Sequence, residues 1–471
     1  MACTTILVGK NVSYDGSTLV ARNEDSPSKV FTPKKFVVVK KEEQPREYVS
    51  KISKVKISLP DNPLKYTAYP NAVYEKEGIW GAFGVNELNI SMTATETITS
   101  NERVLAADPL VEGGIGEEDI VTITLPYIKS ARDGVVRLGK LLEEYGTYEM
   151  NGIAFQDENE IWWLETIGGH HFIAKRVPDD AYVVMPNQLG IDDFDLEDAF
   201  GEMKNHICSS DLKDFIDNNH LNLNLDDKFN PRLAFGSNSD ADHIYNTPRA
   251  WIIQKFFNED VIQSPVSDNI AWSMKPNRKI TNEDVKRVLS LHFQGTDYDP
   301  YSKHSDPLKK AMFRPIGINR NNVYGLVQIR PYMPDDIKSI EWIAVGSNTF
   351  NAQIPQYAMV DTTPDYLSKT SDDVVTSDFY WSNRIIAALA DANYSDTANL
   401  IERYQLKLQE LGNSVINKYD KIYLETKDKK VLEKANEEVA NIAKKETDKL
   451  LQDVLYVASC NMKNGFARSD A

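Results

Sequence analysis

Cysteine is scarce in this 471-residue chain, with only Cys3, Cys208 and Cys460 spread over its length. Three scattered thiols cannot build a disulfide framework, and no CxxC or HExxH spacing gathers ligands for a metal. Reduced thiols, no metal and no organic cofactor are the expectation. Basic charge is short as well: 53 Lys and Arg face 70 Asp and Glu, a net charge of −17. A surface of that sign repels phosphate backbones and argues against a nucleic-acid partner. Long apolar runs are missing, since none reaches the roughly 18–20 residues of a membrane helix. The segment from Met1 to Lys10 lacks the basic stretch and long apolar region of a secretory signal. The chain therefore reads as cytoplasmic, with no membrane contact.

What is present suits a large folded protein. A hydrophobic fraction of 41% and an aromatic fraction of 10% are those of a globular chain. Short β-branched or aromatic runs at Thr4–Val8, Leu19–Arg22 and Phe36–Val39 predict strands. Gly78–Phe83 and Leu88–Met92 flank Gly84-Val85-Asn86-Glu87 as a hairpin. Gly152–Phe155 with Ile161–Thr166, and Phe172–Lys175 with Tyr182–Met185, predict two further pairs. Helical spacing of apolar residues covers Glu117–Tyr145. A helix over Arg249–Phe257 follows Thr247-Pro248, and Thr281-Asn282-Glu283-Asp284 has the form of a capping box. Strands return at Val323–Ile329 and Ile340–Val345. Near the C-terminus, one apolar stripe runs from Leu400 to Leu411 before Gly412, and a second from Val431 to Leu455. These stripes either pack on the rest of the chain or form a subunit contact, which leaves a homo-oligomer open. The order of elements gives an α+β fold, with a core over residues 1–375 and a helical part over 376–471 packed on it.

Cys3 leads directly into the apolar strand Thr4–Val8. A cysteine at position 1 of a mature chain carries its own base. Its α-amine has an unperturbed pKa of about 7.7–8.0 against about 8.5 for the thiol, so a proton passes between them near neutral pH. Position alone fits an ordinary strand cysteine better. The second strand ends Arg22-Asn23-Glu24-Asp25, and alternation puts Arg22 and Glu24 on one face, Asn23 and Asp25 on the other. A carboxylate near an N-terminal ammonium orients it, and an Arg beside a thiol lowers its pKa. A solvated strand end would show the same letters. Two other features carry less. His170-His171 should point to opposite faces and so not serve one site. Gly113-Gly114-Ile115-Gly116 lacks the strand and spacing of a phosphate loop.

Cys3-Thr4-Thr5 opening a strand, an Asp15-Gly16 turn, and a second strand ending Arg22-Asn23-Glu24-Asp25 together resemble the N-terminal-nucleophile hydrolases, the superfamily of penicillin V acylase and bile salt hydrolase. The nearer resemblance is to the dipeptidase A-like cysteine peptidases of lactic acid bacteria and their relatives. It continues through Gly84-Val85-Asn86-Glu87 with Ser91-Met92-Thr93-Ala94-Thr95-Glu96-Thr97, then Met185-Pro186-Asn187-Gln188 and Tyr245-Asn246-Thr247-Pro248-Arg249. Gln294-Gly295-Thr296-Asp297-Tyr298-Asp299-Pro300-Tyr301 and Gln328-Ile329-Arg330-Pro331 complete it. Each motif is weak alone; in this order they are strong.

The resemblance implies a four-layer αββα sandwich and hydrolysis of small peptides, dipeptides above all, through a thioester on Cys3. It makes Cys3 the nucleophile and, by its freed α-amine, the general base. Asp25 would hold that amine, and Arg22 would be the cation beside thiolate and substrate. Asn187 would be a side-chain oxyanion donor, and Arg249 a second active-site arginine that steadies the tetrahedral intermediate. The superfamily's other oxyanion Asn falls near Thr95 and Glu96, which leaves Thr95 or a backbone N–H as the second donor. Whatever precedes Cys3, here Met1-Ala2, has to be removed, by self-cleavage in preference to an aminopeptidase. The same chemistry would serve an acylase of N-acyl amides such as conjugated bile salts or penicillins. An inactive binding protein on the same fold is a third reading.

Overall fold

The computed structural model describes residues 3–94, 96–225 and 228–463. In chain order its main strands begin with β1 (Thr4–Val8), β2 (Thr18–Asp25), β3 (Phe83–Val85), β4 (Ser91–Thr93) and β5 (Glu96–Thr97). They continue with β6 (Asn151–Gln156), β7 (Ile161–Ile167), β8 (His171–Arg176), β9 (Tyr182–Met185) and β10 (His206–Cys208). The last four are β11 (Ser273–Met274), β12 (Asn321–Ile329), β13 (Ser339–Val345) and β14 (Ile354–Tyr357). The first sheet has seven strands in the order β11-β9-β1-β2-β12-β13-β14. The second, also of seven, runs β10-β8-β7-β6-β4-β3, with β5 pairing β6 as well. Every pairing among these strands is antiparallel. The protein is therefore of mixed α+β build, as the alternation of short strands and longer helical stretches predicts.

Strands in both sheets are buried on both faces, so successive side chains serve different apolar clusters. Leu7 and Val20 of the first sheet share a cluster with Ala154, Trp163 and Ile173 of the second. Their neighbours Ile6, Val8, Leu19 and Ala21 join Trp251 and Ile253 in another. In the second sheet, Ile153, Phe155 and Leu164 pack with Ile120, Val135 and Leu138. The helices that supply these partners are α1 (Glu117–Thr124), α2 (Ala131–Tyr145) and α3 (Thr247–Phe257). Helix α2 lies on β6, β7 and β8, and α3 lies on β9. Three helices close the chain: α4 (Phe379–Ala392), α5 (Tyr394–Thr426) and α6 (Lys430–Cys460). Both α5 and α6 pack on β14 and on each other. Their residues Tyr404, Leu408, Leu432 and Val439 belong to the same cluster as Ile6 and Val8.

Four expectations shift. The helical stretch 117–145 is two helices, broken by a single turn at Leu125–Tyr127 that contains Pro126. Ser130 then caps α2 by accepting from Asp133 N at 3.0 Å. The strands Phe172–Lys175 and Tyr182–Met185 do not pair. β8 lies between β7 and β10, whereas β9 lies between β1 and β11 in the other sheet. Val177 N bonds Ile161 O at 2.8 Å and Ala181 O accepts from Gly9 N at 3.0 Å, so the short link through Pro178 steps between sheets. The remaining two corrections concern glycines. Gly84 sits within β3 rather than in a turn, because a Cβ there would stand 1.9 Å from Thr67 O. The hairpin loop moves to Asn86, whose side chain accepts from Leu88 N at 3.0 Å and Ile90 N at 3.2 Å. Gly412 lies inside α5, where a Cβ would meet Pro355 Cδ at 2.7 Å. Both glycines permit a close approach of backbone, which sequence punctuation alone reads as a break.

Candidate active site

The centre of the first sheet sets the site. β1 runs between β2 and β9, with Thr5 opposite Arg22 on one side and Met185 on the other. Cys3 therefore stands just outside the strand, level with the end of β9, where Pro186 and Asn187 leave the sheet. Arg22 and Asn187 approach Cys3 from its two flanks. Cys3 itself is fully buried.

Asn187 meets the backbone of Cys3. Its Oδ1 accepts from Cys3 N at 3.1 Å and from Arg249 Nη2 at 2.7 Å. Two donors on one atom fix the amide's orientation. The Nδ2 then points to Glu96 Oε2, 3.4 Å away. Glu96 lies at the start of β5, fully buried, and its Oε1 accepts from Thr5 Oγ1 at 2.6 Å.

Arg249 projects from the first turn of α3 and is also fully buried. Its Nε donates to Tyr245 O at 2.7 Å, and Nη1 donates to Cys3 O and, at 2.8 Å, to Thr4 Oγ1. Its Nη2 donates to Asn187 Oδ1 and Asn246 Oδ1, both at 2.7 Å. A guanidinium has five N–H donors, and each of these finds a protein acceptor. Burial, and the like charge of Arg314, press down on its pKa. A cavity of about 630 Å³ is lined by Asn187, Tyr245 and Asn246, together with Thr97, Asn101 and Asp242.

Arg22 meets the thiol. Its Nη2 lies 3.1 Å from Cys3 Sγ and 2.5 Å from Glu117 Oε1, and its Nη1 donates to Ala82 O at 3.0 Å. Glu24 follows on the same face, 3.6 Å from Arg22 Nη1 and 2.5 Å from Lys34 Nζ. The alternation expected along β2 is realised. Asn23 and Asp25 turn to the other face, where Asn23 donates to Leu289 O at 2.9 Å. Asp25 is held by Arg314 and by Asn321 Nδ2 at 2.5 Å. It does not hold the Cys3 nitrogen, whose acceptor here is Asn187. Its charge still reaches the thiol.

Burial pushes the Cys3 thiol up to about 12. Arg22 pulls it down, as expected for a neighbouring cation, but Glu96, Glu117 and Asp25 push it up again. The sulfur therefore rests as a thiol. Burial likewise raises Glu96 to about 8, against the pull of Arg22 and Arg249.

The family model described as peptidase family C69 matches residues 2–407. The chain belongs to this family. A protein of Bifidobacterium longum named dipeptidase is 52% identical over 533 aligned positions, covering 100% of both chains. One of Lactobacillus helveticus named dipeptidase A is 45% identical over 468 positions, 98% of this chain and 93% of the other. The class expected from sequence, a cysteine-type dipeptidase, agrees with both findings.

Within this C69 peptidase, the structure brings Cys3, Arg22, Asn187 and Arg249 together and sets Asp25 behind them. Thr95, expected as an alternative donor, lies outside the described residues, as do Met1 and Ala2. Sequence reasoning missed Glu96, Glu117 and Arg314 as members of the cluster. Glu96 had a readable signal, a lone carboxylate in a Thr-rich strand; Glu117 and Arg314 had none. The histidine pair also departs from expectation. His170 belongs to the turn after Gly168 (φ +56°), so both rings reach Asp108, at 2.8 and 2.7 Å. Burial would raise the Asp108 carboxyl, but bonds from His171 and His170 hold it down to about 2. Among the described residues no group of three or more His, Cys, Asp or Glu side chains could hold a metal ion, and no helix is long and apolar enough to cross a membrane.

Proposed function

We propose that this chain is a cysteine dipeptidase that attacks the peptide bond with Cys3 Sγ once Cys3 is N-terminal. The observation that carries the reading is the meeting of Cys3 with Arg22 at the sulfur and Asn187 at the nitrogen. The names of the relatives supply the substrate class, and a reduced cytoplasmic setting suits a free thiol. Helix α2 on the second sheet, two facing sheets, and α3 on the first support the four-layer αββα sandwich. Residues 1–375 then form the catalytic core and 376–471 buttress it through β14.

The chemistry follows from the contacts. As Sγ bonds the substrate carbonyl carbon, its proton passes to the Cys3 α-amine, which Asn187 Oδ1 orients. Asn187 Nδ2 donates to the oxyanion. The C–N bond breaks as the leaving amine takes the proton back, and a thioester remains. Water then adds, the same amine taking its proton and passing it to Sγ as the C–S bond breaks, and the substrate's N-terminal residue leaves as a free amino acid with the Cys3 thiol restored. Arg249, with every donor engaged, positions Cys3 and Asn187 and adds charge at short range. Asp25 fixes Arg314 and lends its charge to the cluster instead of touching the amine.

The mature protein should hydrolyse unblocked dipeptides, lose activity on thiol alkylation and keep it in chelator. Assaying dipeptides beside N-acyl amino acids, conjugated bile salts and penicillin V decides the class. Turnover of the N-acyl compounds with none of dipeptides would replace this reading with an acylase. Asn187→Ala should lower kcat by about 10²–10³-fold with KM little changed, as for a donor used in the transition state. A raised KM at constant kcat would instead make Asn187 a substrate-binding residue.

A further inference from the structure

We propose that Glu96, as a neutral carboxylic acid, is the second oxyanion donor of this site, its Oε2–H standing beside Asn187 Nδ2–H. The inference rests on the Cys3 acyl-enzyme reading and names the donor that reading lacks.

Glu96 is fully buried at the start of β5, facing Cys3 and Asn187. Thr5 Oγ1 donates to Oε1 at 2.6 Å, so Oε1 serves as the carbonyl oxygen when the acid proton is carried on Oε2. Oε2 lies 3.4 Å from Asn187 Nδ2, a long contact even for an ionised carboxylate. With Glu96 neutral, two donors face one another across that gap. An oxygen that acquires negative charge beside the pair, within reach of both, accepts from both. Substrate carbonyl oxygen becomes such an atom when Sγ bonds its carbon. No proton is transferred in this step; the acid only donates a hydrogen bond.

Neutrality follows from the surroundings. A buried carboxylate normally needs an ion pair. Among the described residues no Lys or Arg side chain lies within ion-pair distance of Glu96. Arg22 donates through Nη1 to Ala82 O and through Nη2 to Cys3 Sγ and Glu117, and Arg249 donates to five other acceptors. The charges that face Glu96 are Arg22 and Asp25 from β2 and Arg249 from α3, with the Cys3 thiol beside them. Burial outweighs the two arginines and raises Glu96 to about 8, Asp25 adding to the rise. Below that pH the group is an acid. A carboxylic acid kept neutral by its site is a competent oxyanion donor. An ionised Glu96 would place negative charge against the oxyanion and oppose the same step.

The test uses mature enzyme and an unblocked dipeptide, with kcat and KM measured from about pH 6 to about pH 9.5. Wild-type kcat should fall as pH rises through the Glu96 pKa, because the donor is lost on ionisation. Glu96→Gln keeps an N–H donor and cannot ionise, so it should keep kcat within about tenfold of wild type at pH 7 and lose that alkaline fall. Glu96→Ala should lose about 10²-fold in kcat with KM little changed. Titration of Cys3 with iodoacetamide should give the same thiol stoichiometry in all three proteins, which shows that the nucleophile is in place. Wild-type kcat that stays flat to pH 9.5 overturns the proposal without recourse to any variant. So does Glu96→Gln as slow as Glu96→Ala, or a loss confined to KM, which would make Glu96 an anchor for the substrate ammonium. Activity surviving Cys3→Ala would instead overturn the acyl-enzyme reading itself.

Discussion

Cys3→Ala protein should fold as wild type does and hydrolyse no dipeptide above background. Loss of a lone nucleophile in a hydrolase costs on the order of 10⁶-fold in kcat, and neither other cysteine can take its place. Cys208 is half-buried on β10 with its thiol raised to about 12 by burial, and Cys460 is exposed at the end of α6. Folding should survive because the charges around the sulfur balance without it. Arg22 keeps Glu117 and the carbonyl of Ala82, so the substitution orphans no buried charge. Cys3→Ser should keep only a trace, since an alcohol gives up its proton far less readily than a thiol. More than trace activity in well-folded Cys3→Ala protein, measured by a continuous dipeptide assay, would remove Cys3 from the mechanism.

The same variant reports on maturation. An amide nitrogen at Cys3 has no useful basicity, so any residue still joined to it silences the base. Self-cleavage balances as an acyl shift: Sγ attacks the carbonyl of the preceding residue, the C–N bond breaks, and the freed amine takes the thiol proton. Water then releases that residue from the thioester. Intact mass should place the start of active wild-type enzyme at Cys3, and Cys3→Ala protein should keep what precedes it. Fully active enzyme with Ala2 still attached would refute the amine as base.

Much of this site is legible in one dimension, and the reason is local. Strand alternation assigns Arg22 and Asp25 to opposite faces before any coordinate is known, and the structure agrees. A proline after β9 fixes where Asn187 leaves the sheet. What alternation cannot tell is which distant side chain waits on each face. Glu117 reaches Arg22 across 95 residues of sequence and Arg314 reaches Asp25 across 289. Neither residue sits in a pattern that marks it. Asp25 shows the consequence: its face follows from the strand, but its partner does not. The glycines fail for a related reason. Gly84 and Gly412 are read as punctuation, yet each serves a neighbour far away in sequence, Thr67 O and the Pro355 ring. The pairing of Phe172–Lys175 with Tyr182–Met185 fails because adjacency in sequence favours a hairpin, whereas β9 is claimed by β1.

Arg249→Lys should cost nearly as much activity as Arg249→Met, although lysine keeps the charge. Five acceptors converge on the guanidinium: the carbonyls of Cys3 and Tyr245, Thr4 Oγ1, Asn187 Oδ1 and Asn246 Oδ1. An ammonium has three donors and no planar fork, so at least two of these acceptors lose their partner. Each buried group left unpaired costs about 1–3 kcal/mol, and the two variants should therefore unfold at lower temperature, methionine more than lysine. Catalysis suffers by another route. Asn187 is gripped between Cys3 N and Arg249 Nη2. Released from one side, its amide can turn and withdraw Nδ2 from the oxyanion, so kcat should fall by about 10²–10³-fold in both variants. KM should stay near the wild-type value, because every donor of Arg249 serves the protein and none is left for substrate. Steady-state kinetics on the two variants would settle the point: a lysine variant with normal kcat and raised KM would show that charge towards the substrate, and not the grip on Asn187 and Cys3, is what Arg249 contributes.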